Sequence, residues 1–265
     1  MKLCDAKACV LRVGGTNCDA EIKWVLEDLG LSTDILHMNQ AIKKDLADYQ
    51  MLVFPGGFSY GDYVRAGAIW SREILTKLKK DLEIFIDEGK LVLGICNGFQ
   101  VLVEIGILPG DGENVSGIPT AVLANNISAK YECRWVNLKV ESDRIPFFGL
   151  LKKGQALQIP IGHGEGRFIL QSEDALTELI KNNQVVLRYI SPDCAAAEGK
   201  YPNNPNGAVY DIAGICNRKG NVMGMMPHPE RAYFGWQLPS WGKELPKFGD
   251  GKAIFESAVN YIKKY

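Results

Sequence analysis

Lys90–Gly106 reads KLVLGICNGFQVLVEIG, and the fold is decided by how this stretch is read. Leu91-Val92-Leu93 is a short apolar run, the pattern of a strand buried on both faces. Gly94-Ile95-Cys96-Asn97-Gly98 follows it. Phe99, Val101, Leu102, Val103 and Ile105 then continue as a mostly apolar helix, with Gly106 at the stop position. A strand that turns at once into a helix needs a tight bend, and the glycines flanking Cys96 permit one. The pattern is that of a nucleophile elbow with Cys in the place of Ser. It puts the sulfur at the tip of a sheet, at the positive end of a helix, where the thiolate is favoured. The N–H of Asn97 is then free to bind an oxyanion. An unpaired Cys is more often a small buried core residue; the two glycines favour the nucleophile.

Upstream, strands and helices alternate. Lys7–Val13 reads as a strand and Gly14-Gly15-Thr16-Asn17 as a turn. A helix begins at Asp19, with Ile22, Val25, Leu26 and Leu29 on one face and Gly30 at its end. Thr33–Met38 and Met51–Phe54 read as strands. A helix is expected from about Ser71 to Glu88, burying Ile74, Leu75, Leu78, Leu82, Phe85 and Ile86. This alternation is the signature of a parallel sheet covered on both faces. Gly14-Gly15 lacks the Walker Lys and the dinucleotide spacing, so the turn reads as structural.

Downstream the pattern loosens. Gly110–Gly117 is turn-rich. Cys133–Val140 reads as a strand at an edge or in a hairpin, and Leu157–Ile161 as another, running into Gly162-His163-Gly164-Glu165-Gly166. Glu173–Asn182 reads as a helix and Gln184–Ile190 as a strand. Ser191–Gly207 is a loop of a length that is usually functional or mobile. Ile212–Cys216 and Val222–Met226 predict a hairpin, and Lys252–Lys264 an amphipathic helix. The expected fold is α/β: one domain over residues 1–265, three-layered α/β/α with a mostly parallel central sheet, flavodoxin-like.

Composition bounds the function. The 265 residues carry 30 basic and 31 acidic side chains, net charge −1, which argues against a general attraction to nucleic acid or acidic membranes. The opening MKLCDAKACVLRV has no long apolar segment of the secretory type, so no signal peptide is expected. No apolar run reaches spanning length. The seven cysteines are scattered, without a CxxC pair, and read as free thiols in a reducing cytoplasm; no metal site is expected.

A Cys nucleophile needs a base. Of the three histidines, His37 lies within a strand-like run, where a packed or surface imidazole is the simpler reading. His228 stands in Met226-Pro227-His228-Pro229-Glu230-Arg231, just after a short strand. In extended backbone positions i and i+2 point the same way, so Glu230 can hold the His228 ring as the third member of a triad. Gly56-Gly57 ends another strand, and Gly57 can offer a second oxyanion donor beside Asn97.

Gly94-Ile95-Cys96-Asn97-Gly98-Phe99-Gln100, Pro55-Gly56-Gly57 and His228-Pro229-Glu230 together resemble the class I (triad) glutamine amidotransferases. FPGGFSYGDYVRAGAI, CNGFQVLVEIGILPG, NISAKYECRWV, PIGHGEGRF, NPNGAVYDIAGICN and GMMPHPERA narrow the likeness to the glutaminase subunits of phosphoribosylformylglycinamidine synthases, from Val13 to Arg231. The resemblance implies that Cys96 attacks the side-chain amide of glutamine, with His228 as base and acid and Glu230 orienting it. It implies oxyanion donors at Gly57 and Asn97, and substrate contacts at Gln100, Phe58, Ser59, His163 and Gly164. For His163 and Glu165, loop packing is the competing reading. It implies that ammonia passes to a synthetase subunit, which binds ATP, magnesium and formylglycinamide ribonucleotide, and that a small third subunit helps assemble the complex. This chain itself would need no cofactor. Arg65, Arg134 and Arg231 are candidates for docking the synthetase. Two departures from the family pattern are Ala208, often Ser there, and the long segment Tyr233–Gly249. Two further readings remain at this level: a cysteine hydrolase or peptidase of the same fold acting alone, and a non-catalytic regulatory module.

Overall fold

The computed structural model describes residues 6–110, 115–239 and 244–264. Cys4, residues 111–114 of the turn-rich segment and residues 240–243 of the long C-terminal segment lie outside the described residues. The alternation expected for the first hundred residues is present: β1 (Lys7–Arg12), α1 (Asp19–Asp28), β2 (Ser32–His37), a short α2 (Met38–Ala41), β3 (Met51–Phe54), α3 (Ala68–Lys77), α4 (Lys79–Asp87), β4 (Leu91–Ile95) and α5 (Asn97–Glu104). The helix expected from Ser71 to Glu88 is broken. It starts at Ala68, and Leu78 leaves helical geometry at φ −127°, ψ 6°. Ile74, Leu78, Leu82 and Phe85 stay buried across the break, so the apolar spacing carries no trace of it.

The rest of the chain adds β5 (Ala121–Asn125), β6 (Glu132–Val140), β7 (Ala156–His163), β8 (Glu165–Leu170), α6 (Glu173–Lys181), β9 (Val185–Ile190), β10 (Ile212–Cys216), β11 (Val222–Met225) and α7 (Gly251–Ile262). The main sheet runs β2-β1-β3-β4-β11-β10-β9-β6-β7. Its first five strands are parallel; from β11 onward every neighbour is antiparallel. β4 and β3 lie in the middle of the parallel part, and both are completely buried, as their unbroken apolar runs require. α1 packs beside α7 and α3 beside α5, which gives the three layers. β6, read as a strand at an edge or in a hairpin, pairs with β7 and on its other side with β9, and Pro160 sits on β7, the edge strand, where a missing N–H costs no ladder bond.

A second sheet, β5 with β8, was not anticipated. It lies over α5, where Phe168 stacks on Phe99 with ring centroids 6.2 Å apart. Residues 191–207 form the long loop that was expected, and Asp211 pins it. The Asp211 carboxylate accepts from the N–H groups of Glu198 and Gly199 and from the Asn204 side chain. Among the described residues no helix is long and apolar enough to cross a membrane.

α5 crosses very closely over the end of β3. A Cβ on Gly98 would lie 1.8 Å from the Phe54 carbonyl oxygen, and one on Gly94 would lie 2.8 Å from the Gly98 backbone. Both contacts are with backbone, which cannot yield as a side chain can. Replacing Gly98 by Ala is therefore expected to lower the unfolding free energy by about 3 kcal/mol, measured by urea denaturation; an unchanged midpoint would show that α5 can shift freely on β3.

Candidate active site

Cys96 joins β4 to α5 at φ 51°, ψ −105°, a positive φ that a side-chain-bearing residue rarely adopts. The Cys96 N–H donates to the Met225 carbonyl at 2.8 Å, and its own carbonyl accepts from the Gln100 N–H at 3.0 Å. The bend is thus tied to β11 on one side and to the first turn of α5 on the other. The sulfur is buried, with the Gly162 carbonyl 3.6 Å away. Asn97 is the first residue of α5, so its N–H has no acceptor within the helix.

His228 and Glu230 follow β11 directly. The His228 N–H donates to the Pro160 carbonyl at 2.8 Å, which anchors the segment to β7. The ring Nδ1 is 2.6 Å from Glu230 Oε1, and both side chains are buried. Burial by itself disfavours the charged ring. The Glu230 carboxylate, the Cys96 thiol and the Cys18 thiol outweigh it and raise the His228 pKa well above its ordinary value. The contact expected between positions 228 and 230 is present, but the backbone that makes it is a 3-10 turn over Pro229–Ala232 and not the extended segment expected. The ring also explains Gly56: a Cβ there would lie 2.6 Å from His228 Cε1.

Gly57 has φ +146°, and a Cβ would meet Asn17 N and Gly15 O at 2.7 Å. The turn at residues 14–18 holds this segment by backbone bonds. Asn17 N and Cys18 N both donate to Gly56 O at 3.2 Å, and Phe58 N donates to Gly15 O at 2.9 Å. The turn is structural, as expected, but what it supports is the end of β3 beside the elbow.

The remaining candidates surround the elbow in different ways. Gln100 has both ends of its amide engaged, with Asn97 Nδ2 at 3.0 Å and with the Glu165 carbonyl. It fastens the 162–166 segment to α5. Ser59 donates its N–H to Asn97 Oδ1 at 3.2 Å, and its buried hydroxyl has no partner among the described residues. Phe58 is 46% exposed, 6.3 Å from the Tyr131 ring. Gly164 has open space where a Cβ would be, and its carbonyl accepts from Asn126 N. His163 is buried, with Nδ1 3.0 Å from Asn126 Oδ1, and its ring fills the space above Gly166. Burial, then the charge of His228, push its pKa down to about 3, so it stays neutral.

Two contributors, Asn126 and Cys18, escaped the sequence reading. Asn126 clamps the 163–166 backbone through both ends of its amide. Cys18 Sγ lies 3.8 Å from His228 Nδ1, and Arg231 Nη2 lies 3.2 Å from that sulfur. Donor atoms of Cys18, His228 and Glu230 fall within 4.8 Å of one another, a set that could hold a metal by donor type. The Arg231 guanidinium beside the sulfur opposes a second cation there. Burial, as the largest cause, also pushes the Cys18 thiol up to about 11.

The likeness to known proteins covers the whole of this arrangement. The CobB/CobQ-like glutamine amidotransferase domain matches residues 5–262. A phosphoribosylformylglycinamidine synthase subunit PurQ of Archaeoglobus fulgidus is 44% identical over 273 residues, covering 98% of each chain. A PurQ subunit of Dehalococcoides mccartyi is 40% identical over 97% of this chain and 98% of its own. A chain in the solved structure of PurLQS from Thermotoga maritima superposes with a TM-score of 0.74 at 36% identity, over 98% of this chain and 100% of that one. The chain belongs to this family of glutamine amidotransferases, among its PurQ subunits. Membership separates readings that geometry leaves together, since a buried Cys beside a His–Glu pair also suits other cysteine hydrolases. The three arginines named as docking candidates each have a partner within the chain. Arg65 pairs with Glu104, Arg134 with Glu132 and Tyr201, and Arg231 with Glu21.

The two buried histidines predict opposite pH responses. His228 has a raised folded pKa, so its contribution is fully present below about 6.5 and is lost as pH rises through the folded value. His163, depressed to about 3, stays neutral while the unfolded chain takes up its proton, so stability falls as pH drops from about 6.5 toward 3. Asp62, pushed up to about 6 by burial and then by Glu165, has the opposite slope to His163 over part of that range. Variants therefore isolate each group. In denaturant titrations across pH 3–9, His228→Gln is expected to flatten the alkaline side and His163→Gln the acid side, each slope being at most about 1.4 kcal/mol per pH unit. Unchanged slopes would contradict these protonation states.

Proposed function

We propose that this chain is the glutaminase subunit of a phosphoribosylformylglycinamidine synthase, and that Cys96, His228 and Glu230 carry the hydrolysis. The observation that supports it most directly is the convergence of a strained Cys elbow on a buried His–Glu pair 2.6 Å apart, in a chain similar end to end to PurQ subunits. His228, with its raised pKa, already holds a proton drawn from the Cys96–His228 pair as the sulfur attacks the amide carbon of glutamine. The N–H groups of Gly57 and Asn97 donate to the oxygen as negative charge develops on it. Protonated His228 then gives its proton to the leaving nitrogen, ammonia departs, and a γ-glutamyl thioester remains. His228, neutral again, draws a proton from water, which displaces the sulfur and releases glutamate. Glu230 holds the ring orientation and balances its charge throughout. Ser59, Phe58, His163 and Gly164 border the space where glutamine would lie, while Gln100 acts through the 162–166 backbone.

Ammonia then passes to a synthetase subunit, with a small third subunit in the complex. ATP and magnesium act there, in converting formylglycinamide ribonucleotide to formylglycinamidine ribonucleotide for purine synthesis. The solved T. maritima structure with which this chain superposes is that of PurLQS. The site works in the cytoplasm.

A glutamine-mimicking diazoketone tests the reading. One adduct on Cys96, prevented by excess glutamine and lost in Cys96→Ala, is the expected result, by intact mass and peptide mapping. Cys96→Ala should also reduce glutamine-dependent synthesis on the order of 10³-fold or more while ammonia-dependent synthesis by the complex persists. Labelling that never appears, even with the synthetase and its ligands present, would sink the assignment.

A further inference from the structure

Cys18 is not needed by the reaction as written, yet its sulfur is in contact with the base. It comes from the turn at residues 14–18, more than two hundred positions away from His228 in sequence. Its sulfur is 3.8 Å from Nδ1, the ring nitrogen that also faces Glu230 Oε1. On its other side the sulfur is held by Arg231 Nη2 at 3.2 Å, and Arg231 is in turn paired with Glu21 on α1. A Cβ on Gly56 would lie 3.1 Å from this sulfur and 2.6 Å from the ring, so the thiol, the glycine and the imidazole share one packed contact. Cys18 is 2% exposed and His228 3%, so both groups are buried at this contact.

We propose that Cys18 is a positioning residue for His228: its sulfur serves as a second, soft acceptor at the Nδ1 edge and fixes the ring between Glu230 and the end of β3. The inference rests on the triad reading given above and adds a member that acts only through His228. A thiol suits the place because a carboxylate there would add a second negative charge beside Glu230, and an apolar group would offer Nδ1–H nothing. The thiol stays protonated, since burial raises its pKa, so it contributes an acceptor without a formal charge.

Besides Cys18, the charged or titratable groups around the ring are Glu230 and Arg231 of its own segment, Cys96 at the elbow, His163 on β7 and Tyr131 before β6. Of these Arg231 alone donates a hydrogen bond to the Cys18 sulfur, and its pairing with Glu21 does not depend on that sulfur. The chain has only three histidines, so their imidazole Cε1 protons can be titrated individually by NMR, with His228→Gln assigning the site and His37 at the end of β2 as an internal reference. Cys18→Ala and Cys18→Val both remove the acceptor; Val fills most of the space if Ala proves unstable. Both are expected to lower the His228 midpoint while His37 stays fixed. Both should also reduce kcat for glutamine hydrolysis about tenfold or more at near-constant KM, through misplacement of the ring. Cys18→Ser, which keeps an acceptor, is expected to recover most of both. A His228 midpoint that stays or rises in the Ala and Val variants overturns the proposal, as does a Ser variant no better than Ala. The NMR arm does not depend on glutamine: a lowered midpoint in a chain that hydrolyses no glutamine, alone or with its synthetase, would leave the positioning role standing and remove the glutaminase reading.

Discussion

Cys96 is held at a backbone geometry that costs on the order of 1–3 kcal/mol wherever a side chain is present. The surroundings are arranged so that no relaxed alternative exists. α5 must start within one residue of the end of β4, and it must cross β3 so closely that only glycine fits at position 98. Lengthening the turn would push α5 into the β5–β8 sheet through the Phe99–Phe168 stack. Shortening it would remove the Cys96 N–H bond to β11. The strain is therefore distributed into a core that is already packed on every side, and the sulfur is presented where the N-terminus of α5, β3 and β11 meet.

That meeting point explains why the site residues come from separate parts of the chain. In a parallel sheet, neighbouring strands end at the same edge. β3, β4 and β11 are consecutive in the sheet and parallel, so Gly56-Gly57, Cys96 and His228 emerge together although they lie far apart in sequence. The antiparallel half contributes differently. β7 ends at His163 and turns at once into β8, and that turn closes over the elbow through the Gln100–Glu165 and Cys96–Gly162 contacts.

What could be read in advance follows from how local each signal is. The β3 and β4 runs and the glycines around Cys96 are contained within short windows and are found as read; the nearness of His228 to Glu230 was also legible, although a 3-10 turn over Pro229–Ala232, not extended backbone, brings them together. The break at Leu78 was hidden because buried residues on both sides keep helical spacing. The β5–β8 sheet was missed because β8 carries Glu165, Gly166 and Arg167 where a strand signal should be apolar, and its partner lies forty residues earlier. Cys18 was seen as one of several free thiols. Its significance lies in a contact with a residue at the other end of the sequence, for which no pattern within either window gives a sign. Similarly, the arginines expected on a docking face are ion-paired within the chain, because charge in a sequence does not disclose its nearest neighbour.

The turn at residues 14–18 then has a consequence for how the chemistry is coordinated. Two of its N–H groups hold the Gly56 carbonyl, and one of its carbonyls holds the Phe58 N–H, so it sets the peptide plane of Gly57, a proposed oxyanion donor. The same turn delivers the Cys18 sulfur to the ring of the proposed base. Donor and base are therefore not independent: a displacement of this one turn moves both relative to the sulfur of Cys96, which is fixed by β4 and α5. The turn leads directly into α1, whose Glu21 holds Arg231 next to Glu230. A shift of α1 along the sheet would thus alter the oxyanion donor, the base and its acid partner in one motion, and leave the nucleophile where it is.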